Sequence, residues 1–292
     1  MLYNLSDYTT IKNLLSKHGF SFSKALGQNF LVDNSVCPRM ADVAVESDAD
    51  GVLEVGPGVG VLTAELCKRA KKVVSIELDH RLPPLLKKTL EDFDNVEIIE
   101  GDAMKLDLAA LIEEKFKDCK KVSFCANLPY YITSPILMKL LEERLPFSQI
   151  VVMLQKETAE RFSAPIGSRA AGAVTASTNY YAESEVLFGV DRSSFFPVPK
   201  VDSAVLRLVP RSEPLITPKS EKHFFALLKA AFSQRRKTAV NGISSGLSLS
   251  KDTVKAALRS LNLSETVRAE QLSMEELCAL SDTLYTLQVE EK

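Results

Sequence analysis

The sequence predicts an open α/β domain with a seven-stranded sheet, running to about residue 210, followed by a small all-helical domain. Three observations carry this. Short apolar runs rich in β-branched residues alternate with segments of helical period between residues 35 and 162. The first run, Gly51–Val55, breaks at Gly56-Pro57-Gly58-Val59-Gly60 and resumes as a helical pattern, which is the strand, glycine turn and helix of open α/β sheets. Finally, three prolines between Pro210 and Pro218 punctuate a linker, after which the pattern stays helical to the end.

In chain order, residues 1–23 read as a polar N-terminal extension with one weak helical pattern (Ile11, Leu14, Leu15). Lys24 to Asp33 reads as a loop, interrupted by Gly27, Gln28 and Asn29. Ser35–Val45 is predicted helical, with Val36, Met40, Val43 and Ala44 on one side. The glycine turn leads into a helix over Val61–Arg69, and Lys72–Ile76 is the second strand, ending at Glu77. Asp79–Leu90 reads as a helix whose Pro83-Pro84 pair suits its first turns. A third strand, Val96–Ile99, ends at Gly101-Asp102-Ala103, and Asp107–Phe116 is helical. The fourth strand, Lys121–Ala126, runs into Asn127-Leu128-Pro129-Tyr130. Ser134-Pro135 reads as the N-cap and first residue of a helix through Arg144. Gln149–Leu154 is the fifth strand and Glu157–Phe162 starts a helix. Gly167–Gly172 reads as a loop, Glu185–Val190 and Ser203–Val209 as the last two strands, and Phe195–Lys200 as an aromatic and proline loop between them. Three helices, near 221–232, 251–261 and 274–287, complete the second domain.

Composition excludes several classes. Among 292 residues, 46% are hydrophobic and 25% charged, which is ordinary for a protein with a packed core. No apolar run reaches membrane-spanning length, and the first residues lack the basic and apolar regions of a secretory signal, so a cytoplasmic protein is expected. Five cysteines without a Cys-x-x-Cys pair fit reduced thiols, and His18, His80 and His223 lie too far apart in sequence for a metal-ligand spacing, so no metal is expected. The net charge of −2 does not by itself indicate a nucleic-acid partner. Any such contact needs local positive charge, and the candidates are Lys12, Lys17, Lys24, Lys200 and Arg235-Arg236-Lys237.

Four successive strand ends carry glycine or polar signals, at 56–60, 77, 101–102 and 127–130, and in an open sheet these ends share one edge, where ligands bind. The set fits a nucleoside cofactor. Gly56 and Gly58 allow backbone to pass beneath it, Glu77 is placed to hold ribose hydroxyls, and Asp102 to accept from an adenine amine. Val61 stands where a dinucleotide fingerprint has its third glycine, which speaks against a nicotinamide-dependent oxidoreductase. The Asn127 to Tyr130 segment suits a flat ring bearing an amine. Asn127 offers a side-chain acceptor, Pro129 restricts the backbone of Leu128, and Tyr130 supplies a π-face.

These residues carry a resemblance. The glycine loop, Glu77 and Asn127-Leu128-Pro129-Tyr130 are similar to those of S-adenosylmethionine-dependent N6-adenine methyltransferases of the class I, Rossmann-like fold. More closely, the chain resembles the ribosomal RNA small-subunit adenine dimethyltransferase family. The resemblance rests on Leu26-Gly27-Gln28-Asn29-Phe30-Leu31, Glu54-Val55-Gly56-Pro57-Gly58, Gly101-Asp102-Ala103, Asn127 to Tyr130, Leu154-Gln155-Lys156-Glu157, Pro199-Lys200-Val201-Asp202-Ser203-Ala204-Val205 and Phe232-Ser233-Gln234-Arg235-Arg236-Lys237. It implies that Gln28, Asn29, Leu31, Gly56, Gly58, Glu77, Asp102 and Asn127 meet the cofactor. It also implies that Asn127, the Leu128 carbonyl and Tyr130 clamp a target adenine, with Phe195 stacked on the flipped base. The implied activity is N6,N6-dimethylation of two adjacent adenosines in the 3′-terminal hairpin of small-subunit rRNA, in a pre-ribosomal particle that the helical domain helps to dock; a monomer is expected because no exposed apolar stripe stands out in the sequence. A large-subunit rRNA methyltransferase of the antibiotic-resistance type shares the whole first domain and stands as the alternative. A binding-only ribosome-assembly factor is a further one, against which the intact cofactor and clamp positions speak. The chain departs from the family pattern at Gly167–Gly172 and at Ala239-Val240, and residues 1–23 have no clear counterpart.

Overall fold

The computed structural model describes residues 29–234 and 236–290, together with Thr9, Thr10 and Asn13. The rest of the N-terminal extension, Lys24, Gln28 and Arg235 therefore lie outside the described residues. In chain order the elements are β1 (Phe30–Leu31), α1 (Val36–Ala44), β2 (Gly51–Val55), α2 (Val61–Cys67), β3 (Lys72–Glu77), α3 (Pro83–Thr89), β4 (Val96–Glu100), α4 (Leu108–Lys115), β5 (Val122–Asn127), α5 (Thr133–Glu142), β6 (Ile150–Gln155), α6 (Lys156–Phe162), α7 (Ala173–Tyr181), β7 (Ala182–Val190), β8 (Phe195–Phe196), β9 (Ser203–Pro210), α8 (Glu221–Ala231), α9 (Ala239–Leu247), α10 (Lys251–Ser260) and α11 (Met274–Glu290).

Seven strands form one sheet in the order β4-β3-β2-β5-β6-β9-β7. The β2–β3, β3–β4, β2–β5 and β5–β6 pairs are parallel, and β9 joins β6 antiparallel. Every residue of β2 is buried, as expected of a central parallel strand covered on both faces. One core cluster packs Val36, Met40 and Ala44 of α1 and Leu62 and Leu66 of α2 against Val52, Val73, Cys125, Val151 and Val205 of the sheet. The chain leaves β2 for β3 and β4 on one side and later returns to lay β5 and β6 on the other. The switch point of the topology thus lies between β2 and β5, and the crevice beyond their C-terminal ends is where such sheets bind ligands.

Two stretches read as loops pair with each other. Phe30 lies opposite Phe196 and Leu31 opposite Phe195 in an antiparallel two-stranded ribbon. The fifth helix of the sheet domain begins at Thr133 rather than after a Ser134 cap. Ile132 occupies the cap position without a side-chain bond, and the Thr133 hydroxyl donates to the Pro129 carbonyl at 3.2 Å.

The described chain divides into two compact units, one of residues 29–159 with Glu185–Pro210 and the other of Glu160–Ser184 with the described residues from Arg211 onward. The second unit has its own core, including Ala176, Tyr180, Phe224, Leu227, Ile243, Val254, Leu258 and Leu280. It holds two helices absent from the sequence reading. In α7, Ser, Thr and Asn are poor local helix formers, but Thr178 donates back to the Val174 carbonyl and Thr175 to that of Arg161, so their hydroxyls are satisfied. In α9, Gly242 and Gly246 argue locally against a helix, and close packing on α8 overrides that preference.

That packing makes a prediction. A Cβ on Gly242 would lie 2.6 Å from the Ala230 carbonyl oxygen, a backbone atom that cannot swing aside. Gly242→Ala is expected to lower stability by about 1–3 kcal/mol through overpacking, despite the better helix propensity of alanine. Urea unfolding checks this, and an unchanged or raised midpoint contradicts it.

Candidate functional site

A cavity opens at the C-terminal strand edge of the first unit, lined by Asn29, Phe30, Leu31, the glycine turn, Glu77, Asp102, Asn127 to Ile132 and Phe195. The structure thus brings all the described nucleoside and clamp candidates to one place, although they are spread over some 165 positions (29 to 195) of sequence.

The floor is the turn after β2. Gly56, Gly58 and Gly60 have φ of 73°, 61° and 93°, a region costly for a side-chain-bearing residue. A Cβ on Gly56 would meet only Pro129 Cδ at 3.8 Å, whereas one on Gly58 would press on Phe30 at 3.3 Å. The Gly56 N–H donates to the Ile76 carbonyl at 2.9 Å, which fixes the turn against the neighbouring strand.

Glu77 ends β3 and is 6% exposed. Its Oε1 accepts from the Asp79 N–H at 2.8 Å and its Oε2 from the Gly58 N–H at a long 3.4 Å. Burial pushes its pKa up to about 7, with the neighbouring Asp79 charge adding to this and the backbone donors opposing it. Asp102 follows β4. One of its carboxylate oxygens caps the turn by accepting from the Met104 N–H at 3.0 Å, and the other lies 3.6 Å from the exposed Lys105 ammonium.

On the opposite lip, the Asn127 side-chain amide has no hydrogen-bond partner among the described residues, while the Leu128 N–H anchors the turn to the Met153 carbonyl at 3.3 Å. The Tyr130 hydroxyl lies 3.1 Å from Ser203 Oγ, which fixes the ring toward β9. Phe195 is 3% exposed and is held by its pairing with Leu31. Among the basic candidates, Lys200 is exposed in the first unit, and Arg236 and Lys237 are exposed in the second. No group of three or more metal-ligating side chains occurs among the described residues.

The sequence reading named Glu54 within a motif but gave it no role. It sits inside β2, 1% exposed, accepting from Ser75 Oγ at 2.6 Å and Thr63 Oγ1 at 2.7 Å on the same oxygen. Burial pushes its carboxyl to about 7 against those two donors. The available signal was an acidic residue interrupting an otherwise apolar strand.

Comparison with known proteins shows the family. The profile described as Ribosomal RNA adenine dimethylase matches residues 19–285. The chain belongs to that family. A Bacillus licheniformis protein named Ribosomal RNA small subunit methyltransferase A is 46% identical over 276 residues, covering 94% of each chain. Its namesake in Anoxybacillus flavithermus is 43% identical over 294 residues and the full length of both. Among solved structures, a dimethyladenosine transferase from Plasmodium falciparum matches with a TM-score of 0.69 and 29% identity, over 89% of this chain and 98% of that one. The 23S rRNA methyltransferase ErmE matches with a TM-score of 0.62 and 28% identity, over 87% and 99%. As a member of the dimethylase family, the protein is a methyltransferase that uses S-adenosylmethionine and acts on ribosomal RNA. The site suits that donor: the glycine cradle leaves room for a ligand, and carboxylates stand at two strand ends where hydroxyl and amine donors need acceptors. No helix among the described residues is long and apolar enough to cross a membrane.

The raised Glu77 pKa makes a prediction with a definite sign. A carboxyl that holds its proton more tightly when folded adds stability that is full below its unfolded pKa and is lost as pH rises through about 7. Glu77→Gln, neutral at every pH, is expected to gain thermal stability relative to the unliganded wild type between about pH 5 and about pH 8. A gap in melting temperature that does not change with pH contradicts the assignment.

Proposed function

We propose that the protein dimethylates N6 of two adjacent adenosines in the 3′-terminal hairpin of small-subunit (16S) rRNA, as a cytoplasmic monomer acting on a pre-ribosomal particle. The observation that carries the chemistry is the convergence of Asn127, Leu128, Tyr130 and Phe195 on the cavity that also holds Glu77 and Asp102. The choice of the small subunit is supported by the full-length relatives named for that subunit, which are more similar to this chain than the structure named for 23S rRNA.

In this reading Asn29, Leu31, Gly56, Gly58, Glu77, Asp102 and Asn127, with Gln28, hold S-adenosylmethionine. Bound there, the donor supplies a methyl group on a sulfonium, already a strong electrophile. The protein therefore needs no covalent nucleophile. Its task lies with the adenine amine, whose lone pair is delocalised into the ring. The Asn127 side-chain oxygen and the Leu128 carbonyl accept its two N–H groups and favour a pyramidal nitrogen with its lone pair free. Tyr130 and Phe195 stack on the base once it leaves the RNA stack, offsetting an extrusion cost of a few kcal/mol. Orientation is the larger contribution, on the order of 7–11 kcal/mol for well-aligned reactants. Exposed Lys200, Arg236 and Lys237, with Lys24 and Arg235, supply local positive charge for phosphates in a chain whose net charge is −2. The helical unit docks the particle.

The test is methyl transfer from labelled S-adenosylmethionine to undermethylated small ribosomal subunits, with the modified base identified by mass spectrometry. N6,N6-dimethyladenine at two adjacent positions of the hairpin is expected. Transfer confined to large-subunit RNA would overturn the substrate. Asn127→Ala is expected to lower kcat by about a hundredfold, the scale on which misplaced reactants lose rate, and wild-type turnover in that variant would remove the clamp.

A further inference from the structure

The segment that carries Phe195 is held from a distant part of the sequence by a side chain to which the chemistry above gives no role. Phe195 follows directly on a short 3-10 turn, Arg192–Ser194. Asp191 fixes that turn at its start. Its carboxylate accepts from the Ser193 N–H at 2.8 Å, and its carbonyl accepts from the Ser194 N–H at 3.0 Å. The last residue of the turn, Ser194, then reaches the β1 segment twice. Its carbonyl accepts from the Val32 N–H at 2.8 Å, and its hydroxyl donates to Asp33 Oδ2 at 3.1 Å. The residue immediately before Phe195 is thus held at its N–H, its carbonyl and its side chain.

Asp33 has a firm base for this contact. Its other oxygen, Oδ1, accepts from the Ser35 N–H at 2.9 Å and the Ser35 hydroxyl at 2.7 Å, at the start of α1. Those donors, the backbone one first, hold the Asp33 carboxyl below its ordinary value, so both oxygens are acceptors at neutral pH. The chain on either side of Asp33 is anchored in the core. Phe30 shares one cluster with Val59 and Leu82, and Leu31 shares another with Val36 and Met40. A hydrogen bond to an ionised acceptor is stronger than one to a neutral group. The two residues of β8 have little pairing of their own to hold them. Neither Asp33 nor Ser194 lines the cavity, so any influence on the reaction passes through the aromatic.

We propose that Asp33 is a positioning residue for methyl transfer, fixing through the Ser194 hydroxyl the backbone that presents Phe195 to the extruded adenine. This rests on the stacking role read for Phe195.

The test measures turnover on undermethylated small ribosomal subunits and calorimetric affinity for S-adenosylhomocysteine. Wild type, Asp33→Ala, Asp33→Asn, Ser194→Ala and Phe195→Ala are compared, together with Asp33→Ala and Ser194→Ala each combined with Phe195→Ala. Asp33→Ala and Ser194→Ala are each expected to lower kcat/KM for the subunit by about three- to tenfold, the range of one hydrogen bond, with S-adenosylhomocysteine affinity unchanged. Asp33→Asn is expected to restore turnover, because its amide keeps an acceptor for Ser35 and a donor for the Ser194 oxygen. In the Phe195→Ala background neither change is expected to lower turnover further, since residues that act through one another are not additive. Full additivity there makes the tie a general support of the fold and overturns the proposal. Wild-type turnover in Ser194→Ala also overturns it, leaving Asp33 only the start of α1. So does an equal loss of S-adenosylhomocysteine affinity, which assigns the tie to the cofactor side, and so does an Asp33→Asn variant as slow as Asp33→Ala. Wild-type turnover in Phe195→Ala overturns instead the stacking role beneath the proposal, and no transfer by the wild type overturns the proposed substrate.

Discussion

The site depends on one constraint: a buried carboxylate at the split of a parallel sheet. β2 pairs in parallel with β3 on one side and β5 on the other; the connection from β2 runs toward β3 and that from β5 toward β6, so the two leave the C-terminal edge in opposite directions and open a crevice. Glu77 projects there from β3 and is 6% exposed. Removing a carboxylate from water is costly unless donors meet it. The Asp79 and Gly58 N–H groups do so on one face, at 2.8 and 3.4 Å. The Gly58 donor is available only because the turn after β2 runs through positive φ at Gly56 and Gly58. Loss of that backbone conformation would leave Glu77 under-bonded and remove the cradle together.

The small ribbon of β1 and β8 links the two halves of the cavity. Asn29 to Leu31 line it from the start of the continuously described chain, and Phe195 lines it from a point more than 160 residues later. Their strand pairing is extended by the Val32 N–H on the Ser194 carbonyl at 2.8 Å and by the Ser194 hydroxyl donating to Asp33 at 3.1 Å. The aromatic read as stacking the target base is therefore built onto the segment read as touching the cofactor. Neither strand has more than two residues, so the ribbon depends on this side-chain tie and on the burial of Phe30, Leu31 and Phe195.

Much of this was legible in the sequence. Each strand of the large sheet announced itself as a short apolar run, and the glycines after Val55 and the acid after Ile76 marked the ligand edge. What stayed hidden depends on contacts distant in sequence. Phe30-Leu31 and Phe195-Phe196 are too short to show a strand period, and each is a strand only because the other is there. The α9 helix contains two glycines that local propensity disfavours, and its warrant is the close approach to Ala230. The α7 helix hides its signal in serines and threonines whose hydroxyls return to the backbone. In the site, Glu54 received no role because its partners, Ser75 and Thr63, lie on a neighbouring strand and helix.

The most direct measurement of the central claim is a crystal structure with S-adenosylhomocysteine bound. The account predicts ribose hydroxyls within hydrogen-bond distance of the Glu77 carboxylate, about 2.5–3.0 Å, the adenine amine directed at Asp102, and the glycine turn unchanged around Gly56. Density for the nucleoside elsewhere on the protein, or a Glu77 carboxylate turned away from the ribose, would contradict it.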